Sequence, residues 1–444
     1  MVNAPRTVRA IAERLEAAGF ETWCVGGAVR DALLGHPHLD WDLATAATPD
    51  QVRKLFRRTV PVGLDFGTVG VLDDRGVMHE VTTFRRDVQT DGRHAVVEFG
   101  ASLVDDLARR DFTINAIAAS PTTGEIRDPF GGRTDLEKKL VRAVGAPDER
   151  MREDRLRALR AIRFAGRLGF AIEDGTWHAI VRSAPHLPRL SRERVKQEME
   201  KTVEQVLCPS RALALWRESG ALGSLIPLLD RQGDIAFASA DHIPTPGRTR
   251  RPERADARRA HRILSLFLGL DAARIRAALH DLRFSNAEVR AMAKLAENWV
   301  TLFEQVSTAL TESAAPNDAT IRHWAAATGR TQLAAFLRVA EARWAAHRDR
   351  GLVAPTSARA RSVYRRALRI AYRDPIELAD LAVDGEDLQR EGIARGPGLG
   401  KILRLLLDWV VENPARNTRD QLIDRARSLA PDVERGAGDA TRPG

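Results

Sequence analysis

Two aspartates, a pair of glycines and an arginine lie close together near the N-terminus of the chain. Gly26 and Gly27 are followed by Arg30, and Asp40 and Asp42 stand two positions apart in the segment Leu-Asp-Trp-Asp-Leu. Aspartates at positions i and i+2 of a strand point to the same face, where their like charges repel unless a cation lies between them. Paired glycines let the backbone approach a ligand closely. The spacing therefore predicts a metal site with a phosphate-binding segment beside it.

The chemistry that such a site could perform is metal-dependent nucleotidyl transfer, in which carboxylates hold two magnesium ions about 3.5–4 Å apart. One ion activates the attacking hydroxyl, and the other neutralises the triphosphate and the leaving pyrophosphate. Asp40 and Asp42 suit this role, and Glu80, in His-Glu-Val-Thr-Thr-Phe, is a candidate third carboxylate or base. The amides of the glycine pair can bind phosphate oxygens at the start of a helix, and Arg30 can clamp the same oxygens.

The elements that must position these residues alternate between helices and strands. Apolar periodicity, a proline at the first helical turn after Thr48 and turn residues around Gly76 mark their boundaries. The predicted helices cover 7–18, 27–34 and 51–56, and the predicted strands cover 21–25, 40–43, 68–72, 77–84, 95–99 and 113–119. After Leu136 the strand signals disappear and helices follow. The sequence therefore predicts an α+β protein, with a small mixed sheet in an N-terminal head and a helical remainder.

Composition restricts the class of protein further. The 444 residues carry a net charge of +9, so an anionic partner is expected, and nucleic acid is the first candidate. Cys24 and Cys208 cannot form a disulfide framework or a four-ligand zinc site, and they are expected to be reduced core residues. No signal peptide or membrane-spanning run is recognisable, so a cytoplasmic protein without a membrane partner is expected.

A further cluster reads Leu-Ala-Arg-Arg-Asp-Phe-Thr-Ile-Asn-Ala and contains Arg110, Asp111 and Asn115. By itself it is compatible with a helix end that leads into a strand. In combination with Gly-Gly-Ala-Val-Arg-Asp-Ala-Leu-Leu-Gly, Asp-Trp-Asp and His-Glu-Val-Thr-Thr-Phe-Arg, it resembles the bacterial class II tRNA nucleotidyltransferase and poly(A) polymerase family, within the polymerase-β-like superfamily. The resemblance is strong over residues 23–200 and weak over the rest.

The resemblance implies a role for each matching residue of the head. It assigns magnesium binding to Asp40 and Asp42, triphosphate binding to Gly26, Gly27 and Arg30, a nucleotide contact to Arg110, and ribose contacts to Asp111 and Asn115. The cofactor that it implies is Mg²⁺.

The segment 152–164 is predicted to form one helix, on which Asp154, Arg157, Arg160 and Arg163 are spaced by three and form one stripe. The spacing alone favours a solvated helix face. Together with the head motifs, however, the Glu-Asp-x-x-Arg pattern resembles the nucleotide-selecting motif of the same family.

An aspartate and an arginine side by side can distinguish nucleobases without a template. Cytosine and adenine each present an amino donor beside a ring-nitrogen acceptor, so Asp154 can accept from the first while Arg157 donates to the second. Guanine and uracil present a carbonyl and an N–H at these places, and both contacts would be lost. Arg160 and Arg163 would steady the base by stacking or the phosphates by charge.

The resemblance also implies an elongated chain of domains: a catalytic head (1–140), a nucleotide-selecting neck (141–205), a body (206–330) and a tRNA-binding tail (331–430). Residues 230–256, rich in Pro, Gly and Arg, are predicted to form a loop or linker, and 431–444 a disordered tail. The arginines at 248–262 could contact an RNA backbone or be merely solvated. The segment 396–401 lacks the spacing of a phosphate loop, and we expect it to begin a helix.

These observations predict an enzyme that adds C, C and A to the 3′ end of tRNA from CTP and ATP without a template, with Mg²⁺ as cofactor and release of pyrophosphate. The expected partners are CTP, ATP and the acceptor arm and 3′ end of tRNA, and the chain is expected to be a monomer or a homodimer. A poly(A) polymerase, or an enzyme that adds only CC or only A, would share every head motif. A catalytically silent RNA-binding protein is disfavoured by the intact aspartate pair, and a small-molecule nucleotidyltransferase by the long basic helical part.

Overall fold

A computed structural model of the chain describes residues 2–36, 40–90, 95–246, 251–312, 314–393 and 395–439. Its contacts divide the chain into two compact units, Met1–Arg231 and Gln232–Gly444. The N-terminal unit combines strands with helices, whereas the described part of the C-terminal unit contains helices without strands. The predicted α+β class is therefore confirmed.

A mixed sheet forms the core of the head. The strands of the head are β1 (Thr22–Val25), β2 (Asp42–Thr45), β3 (Thr59–Gly63), β4 (Thr68–Leu72), β5 (Met78–Thr83), β6 (Arg85–Thr90), β7 (Ala95–Phe99), β8 (Ala118–Ala119) and β9 (Ile126–Arg127). Within the described residues, seven of them pair in the order β3-β4-β5-β2-β1-β8-β9, and β6 and β7 form a separate hairpin. Strand β1 is antiparallel to β2 and β8, while β2 is parallel to β5.

The helices of the N-terminal unit are α1 (Arg6–Ala17), α2 (Gly27–Leu33), α3 (Pro49–Leu55), α4 (Leu103–Ala108), α5 (Gly132–Glu137), α6 (Pro147–Glu153), α7 (Leu156–Leu168), α8 (Asp174–Ser183), α9 (Arg192–Gln205), α10 (Pro209–Glu218), α11 (Ala221–Leu225) and α12 (Pro227–Asp230). Helix α4 covers one face of the head sheet, where Leu103 and Leu107 are buried with Trp23, Val25 and Ala44. This apolar contact fixes the start of the segment that carries Arg110 and Asp111.

Helices α7 and α9 are joined by a buried ion pair. Arg163 of α7 donates through Nε to Glu198 of α9 and through Nη1 to Gln205 Oε1 at 2.9 Å. The side chains of Arg163 and Glu198 are 5% and 2% exposed. The guanidinium is enclosed between two helices and holds them together, and the predicted role of Arg163 in steadying the base or the phosphates stays a prediction.

The helices of the C-terminal unit are α13 (Asp234–Asp241), α14 (Pro252–Phe267), α15 (Ala272–Asp281), α16 (Asn286–Thr311), α17 (Asp318–Thr328), α18 (Arg330–Arg348), α19 (Ser357–Arg373), α20 (Gly385–Arg390), α21 (Pro397–Glu412) and α22 (Arg419–Asp439). Trp299 and Phe303 of α16 stack with ring centroids 4.1 Å apart, and Trp344 of α18 extends the stack. In the described ranges of the chain, every helix is too short or too polar to span a bilayer.

The predicted continuous helix over 152–164 is wrong, because α6 ends at Glu153 and α7 begins at Leu156. Asp154 lies in the break with φ −146° and ψ 104°. Its Oδ1 accepts from the backbone N of Leu156, the first residue of α7, at 3.0 Å. Asp154 is thus not on the helical stripe of Arg157 and Arg160.

Three other element predictions are wrong for reasons of tertiary structure. Residues 113–119 contain a 3₁₀ turn at Thr113–Asn115 before the short β8, because the Thr113 hydroxyl donates to the buried Asp135 at 2.6 Å. A short parallel pair, β10 (Leu140–Val141) and β11 (Ala171–Ile172), occurs where only helices were expected. Residues 230–256 include α13 and the start of α14, and Phe237 of α13 is buried.

The C-terminal helix also differs from expectation. Helix α22 continues through Pro431 to Asp439, and Val433 packs with Leu422 and Ala426 in an apolar cluster. Burial of Val433 explains why the chain stays helical where a disordered tail was predicted. Residues 440–444 lie outside the described residues. The finer division into head, neck, body and tail stays a prediction.

We expect Glu198→Ala to destabilise the protein by about 3–5 kcal/mol, because the change leaves the buried Arg163 charge without its carboxylate partner. Thermal unfolding of the full chain measures the effect. The matched control is Lys201→Ala, which removes an exposed charge from the same helix and should change stability by about 0.5 kcal/mol or less. Equal losses for the two variants would contradict the structural role of the pair.

Candidate active site

The two predicted metal-binding aspartates lie at the start of β2. Asp42 is the first residue of the strand and pairs with Val25 of β1. Asp40 comes immediately before the strand and is exposed, while Trp41 between them is buried. Trp41 holds this end of the strand in the core, whereas Asp40, which was predicted to lie within the strand, comes just before it.

Glu80 of β5 lies next to this pair in the sheet. The parallel register pairs Ala44 with Thr82, and two residues earlier on each strand it places Asp42 and Glu80 side by side on one face. No group of three or more His, Cys, Asp or Glu residues that could hold a metal ion occurs in the part of the chain that the structure describes. Whether Glu80 is a ligand or a base stays open.

Gly26 brings the phosphate-binding segment close to the aspartates. Its φ is +76°, and a Cβ added there would lie 2.9 Å from Arg110 Nη1 and 4.0 Å from Asp42 Oδ2. A side chain at this position would therefore have to push the guanidinium away. The structure thus brings together Gly26, Asp42 and Arg110, which lie far apart in the sequence.

The guanidinium of Arg110 is oriented by the buried carboxylate of Asp106. Its Nη2 donates to Asp106 Oδ2 at 3.1 Å, and Arg109 donates to the other oxygen of the same carboxylate. Burial acts to raise the pKa of Asp106, but the charges of Arg109 and Arg110 outweigh it, and the pKa lies below its ordinary value. The Nε atom of Arg110 is buried and has no hydrogen-bond partner among the described residues. A buried donor of this kind favours an incoming oxygen ligand.

A buried network joins α2, the 3₁₀ turn and α7. Arg30 donates through Nη1 to Asn115 Oδ1 at 2.6 Å, and Asn115 Nδ2 donates to Asp111 Oδ1 at 2.8 Å. The other oxygen of Asp111 accepts from Nε and Nη2 of Arg160 at 2.9 and 2.6 Å. Burial acts to raise the pKa of Asp111, but the Arg160 charge and the hydrogen bonds outweigh it and lower the pKa.

Arg30 lies beneath the glycine segment. It is 2% exposed, it donates through Nε to Asp31 at 2.7 Å, and its Nη2 lies 3.5 Å from where a Cβ of Gly27 would be. Burial lowers the pKa of Arg30, although Asp31 acts in the opposite direction. This geometry favours support of the glycine backbone from below, and a direct phosphate contact by Arg30 stays a prediction.

Asp154, which is predicted to select the base, is held by a residue from another helix. Arg194 of α9 donates through Nη2 to both oxygens of Asp154, at 2.9 and 2.8 Å. Among the described residues, Asp154 Oδ2 accepts from no other donor and so keeps one acceptor position. No local signal marks Arg194, because it lies forty positions away from Asp154.

Arg157, which is predicted to select the base together with Asp154, is also held by neighbouring residues. Arg157 Nη1 donates to Glu153 Oε2 at 2.6 Å and to the carbonyl of Arg150 at 3.1 Å, and Nη2 donates to the carbonyl of Arg109 at 3.0 Å. These bonds leave Nε and one hydrogen of Nη2 for a ligand. The spacing of Glu153 and Arg157 by four was a signal for this pair, although a helix break separates them.

The fold and the site define a nucleotidyltransferase, since the carboxylate of Asp42, the backbone of Gly26 and the guanidinium of Arg110 converge at one end of a mixed sheet. Three family models match the chain. The poly A polymerase head domain matches residues 22–142, the probable RNA and SrmB-binding site of polymerase A matches 169–232, and the putative tRNA nucleotidyltransferase domain 2 matches 255–426.

Known proteins resemble the chain over almost its whole length. The CCA-adding enzyme of Limosilactobacillus fermentum is 35% identical over 425 residues, which are 95% of this chain and 96% of that protein. The Bacillus stearothermophilus CCA-adding enzyme, solved in complex with CTP, is 30% identical with a TM-score of 0.75, covering 97% of this chain and 98% of that one. The Thermotoga maritima CCA-adding enzyme complexed with tRNA shares the fold at 19% identity and a TM-score of 0.63, covering 96% of this chain and 97% of that one. The chain therefore belongs to the CCA-adding enzymes, and enzymes of this class use divalent metal ions.

We expect Gly26→Ala to weaken nucleotide binding by at least about tenfold, because the added methyl group would displace Arg110 from its place beside Asp42. The matched control is Gly35→Ala, whose φ of +72° imposes comparable backbone strain while a Cβ there meets no atom within 4 Å. Isothermal titration with CTP compares the two variants. Equal affinities would contradict the convergence of Gly26 and Arg110 on the nucleotide.

Proposed function

We propose that the chain completes tRNA by adding C, C and A to the 3′ end from CTP and ATP, with Mg²⁺ as the metal and pyrophosphate as the leaving group. The observation that carries the proposal is the convergence of Gly26, Asp42 and Arg110 within a few ångströms. The CCA-adding enzymes to which the chain is similar over almost their full length support the choice of reaction.

The donor set at Asp40 and Asp42 fits Mg²⁺. This cation is usually held by one or two carboxylates together with substrate phosphates, so a third protein ligand is not needed. When bound, the metal would lower the pKa of the attacking 3′ hydroxyl and neutralise charge on the triphosphate. The chain's own contribution is to hold the two carboxylates at the end of β2, with Trp41 buried between them.

The triphosphate is held by the backbone of Gly26 and Gly27 on one side and by Arg110 on the other. Gly26 has no side chain to obstruct the phosphates, and the free Nε of Arg110 supplies a charged donor. Arg30 keeps the glycine backbone in place from below, through its bonds to Asp31 and Asn115. Neutralising the leaving pyrophosphate is the task of Arg110 in this arrangement.

The base is selected by Asp154 and Arg157. The remaining acceptor position of Asp154 Oδ2 takes the amino group of cytosine or adenine, and a remaining donor of Arg157 meets the ring nitrogen. Arg194, Glu153 and two backbone carbonyls hold these side chains, so little conformational entropy is lost when the base arrives. A carbonyl-bearing edge would face the Asp154 carboxylate and be rejected.

The ribose contact falls to Asn115 more than to Asp111. Both oxygens of Asp111 already accept two hydrogen bonds each, from Phe112 N and Asn115 and from the two Arg160 donors. Asn115 Nδ2 keeps one hydrogen for a ribose hydroxyl. We therefore assign a positioning role to Asp111 and Arg160.

The experiment that tests the function is incubation of tRNA lacking its CCA end with each single nucleoside triphosphate and with CTP and ATP together. Sequencing of the products should show CCA and then a stop. Long A tracts would identify a poly(A) polymerase, and CC or A alone would identify a partial enzyme. A cytoplasmic location stays a prediction.

We expect Asp42→Ala and Asp40→Ala to abolish incorporation while tRNA affinity stays near that of the wild type, because the metal pair is needed for chemistry and binding rests on distributed basic contacts. Asp50→Ala, an exposed aspartate in α3, is the control and should retain full activity. Turnover within about tenfold of wild type in either metal-site variant would refute the assignment.

We expect Asp154→Asn to relax discrimination against UTP and GTP by about 1–3 kcal/mol in transition-state free energy, because the carboxylate is the group that rejects their carbonyls. Arg157→Ala should lower kcat/KM for CTP and ATP together. Asp148, which is half-buried and pairs with Arg182, and the exposed Arg152 supply the matched controls Asp148→Asn and Arg152→Ala. The measurement is kcat/KM for all four nucleotides, and an unchanged C-over-U preference in Asp154→Asn would locate the selecting edge elsewhere.

A further inference from the structure

Side-chain contacts join six polar residues of the N-terminal unit into a closed ring. The contacts described above lead from Asp31 of α2 to Arg160 of α7. One more contact comes from Arg167 of α7, whose Nη2 donates to Asp31 Oδ2 at 2.9 Å. Because Arg160 and Arg167 belong to the same helix, the series of contacts returns to the helix where it began. We call the six side chains the hydrogen-bonded ring: Arg30, Asp31, Asp111, Asn115, Arg160 and Arg167.

The contact between Arg167 and Asp31 closes the hydrogen-bonded ring. Asp31 Oδ1 accepts from Arg30 Nε and Oδ2 accepts from Arg167, so one carboxylate holds two arginines. The Asp31 side chain is 2% exposed, whereas that of Arg167 is 33% exposed. Arg160 and Arg167 are seven positions apart, which is about 10 Å along the helix. The ring therefore attaches α7 to the segment of Asp111 at one point and, two turns further on, to α2.

Phe164 of α7 packs against two cations of the hydrogen-bonded ring. The guanidinium of Arg30 lies 5.1 Å from the centre of the phenyl group, and that of Arg160 lies 5.5 Å from it. Both distances are within the range of a cation–π interaction. Phe164 is 6% exposed and makes an edge-to-face contact with Phe112, with centroids 5.7 Å apart. An aromatic surface thus fixes these cations in addition to the two carboxylates.

The hydrogen-bonded ring has an excess of positive charge beneath the glycine segment. It contains three arginines and two aspartates, so one positive charge is not balanced within it. Burial lowers the pKa of Arg30, Asp31 opposes this effect, and the nearby charge of Arg167 adds to it. Arg30 and Arg167 therefore repel each other, and the carboxylate of Asp31 holds them together. An excess of positive charge at this place attracts an anion to the glycine backbone above it.

We propose that Arg167 is a positioning residue for the triphosphate of the incoming nucleotide. This role depends on the proposed function in one respect, since that function makes the glycine segment the site of the triphosphate. Arg167 holds Asp31, and Asp31 holds Arg30, whose Nη2 lies 3.5 Å from a Cβ built on Gly27. Without Arg167, the buried carboxylate of Asp31 turns towards Arg30 and draws it away from Asn115. The glycine backbone then loses the support that fixes its geometry for phosphate binding.

This role concerns the part of the nucleotide that all four nucleoside triphosphates share. Asp154 and Arg157 are proposed to read the base, and neither belongs to the hydrogen-bonded ring. A defect at Arg167 therefore weakens the binding of CTP, ATP and inorganic pyrophosphate to the same extent and leaves selection among bases unchanged. A general loss of structure, by contrast, lowers the fraction of competent protein and not the affinity of the molecules that stay folded.

The test uses the full chain with Arg167→Met, which removes the charge, and with Arg167→Lys, which keeps a charge on a flexible stem. The matched control is Arg182→Met. Arg182 of α8 also pairs with an aspartate of another helix, since it donates to Asp148 of α6 at 2.9 and 2.8 Å, but it lies outside the hydrogen-bonded ring.

Isothermal titration with CTP, ATP and pyrophosphate, each in the presence of MgCl₂, gives the affinities and the fraction of competent protein. Thermal unfolding shows whether each variant is folded at the temperature of the titration. Steady-state kinetics on tRNA lacking CCA give KM and kcat for CTP, KM for tRNA and the preference for CTP over UTP.

We expect Arg167→Met to weaken the binding of CTP, ATP and pyrophosphate by the same factor of about ten. KM for CTP should rise by a similar factor, while kcat, KM for tRNA and the C-over-U preference keep their wild-type values. Arg167→Lys should recover most of the affinity, because lysine keeps a charged donor for Asp31. The control should bind all three ligands as the wild type does.

Wild-type affinity for pyrophosphate in Arg167→Met would overturn the inference, and so would an equal loss in Arg182→Met. A changed C-over-U preference with normal pyrophosphate binding would also overturn it, because Arg167 would then act on the base. If Arg167→Met does not fold, Arg167→Gln keeps a neutral donor and should lose about threefold in all three affinities, with the same contrary outcomes. The titrations need no tRNA, so a wild-type chain that binds these ligands without adding CCA would refute the proposed function and leave the inference in place.

Discussion

The candidate active site depends on the hydrogen bonds of Asn115. Its carbonyl oxygen accepts from Arg30, and its amide nitrogen donates to Asp111, whose second oxygen holds Arg160. Asn115 thereby joins a buried cation under the glycine segment to a buried carboxylate fixed by α7. Each ion is expensive to bury alone, and together they are tolerable because every charge meets a partner of opposite sign or a strong dipole. Because Asn115 contacts both Arg30 and Asp111, the glycine segment, the 3₁₀ turn and α7 depend on one another for their positions.

A second set of contacts links the residues proposed to bind the base and the triphosphate. Arg150 donates to the carbonyl of Ala108, and Arg157 donates to the carbonyl of Arg109. Both acceptors lie at the end of α4, immediately before Arg110, the residue proposed to bind the triphosphate. The residue proposed to read the base therefore also holds the backbone of the residue proposed to bind the triphosphate.

The sequence was sufficient for the parts of the site that local chemistry determines. The strand that carries Asp42, the short helix after Gly26 and the capped helix after Thr48 all lie within two residues of their predicted bounds. The break at Asp154 was not predicted because Glu, Asp and Arg are acceptable helix residues. The ion pair that holds Asp154 in the break is made by Arg194, far away in the chain. Local periodicity cannot report such a contact.

The arginines of α7 and α19 show that the spacing of residues along a helix does not determine what their side chains bind. Arg157, Arg160 and Arg163 follow one another at the same interval, yet one binds backbone carbonyls and Glu153, one binds Asp111, and one is enclosed with Glu198. On α19 a similar interval produces four exposed side chains that bind no side chain or backbone group among the described residues. What distinguishes the two helices is the location of carboxylates on other elements: α9 and the turn at Asp111 supply them to α7, and no described element supplies them to the exposed face of α19. An arginine enclosed with a carboxylate of another helix, such as Arg163, acts on structure, whereas an exposed arginine without such a partner is available to a ligand. That distinction requires the tertiary structure, because the compensating carboxylates come from distant segments of the chain.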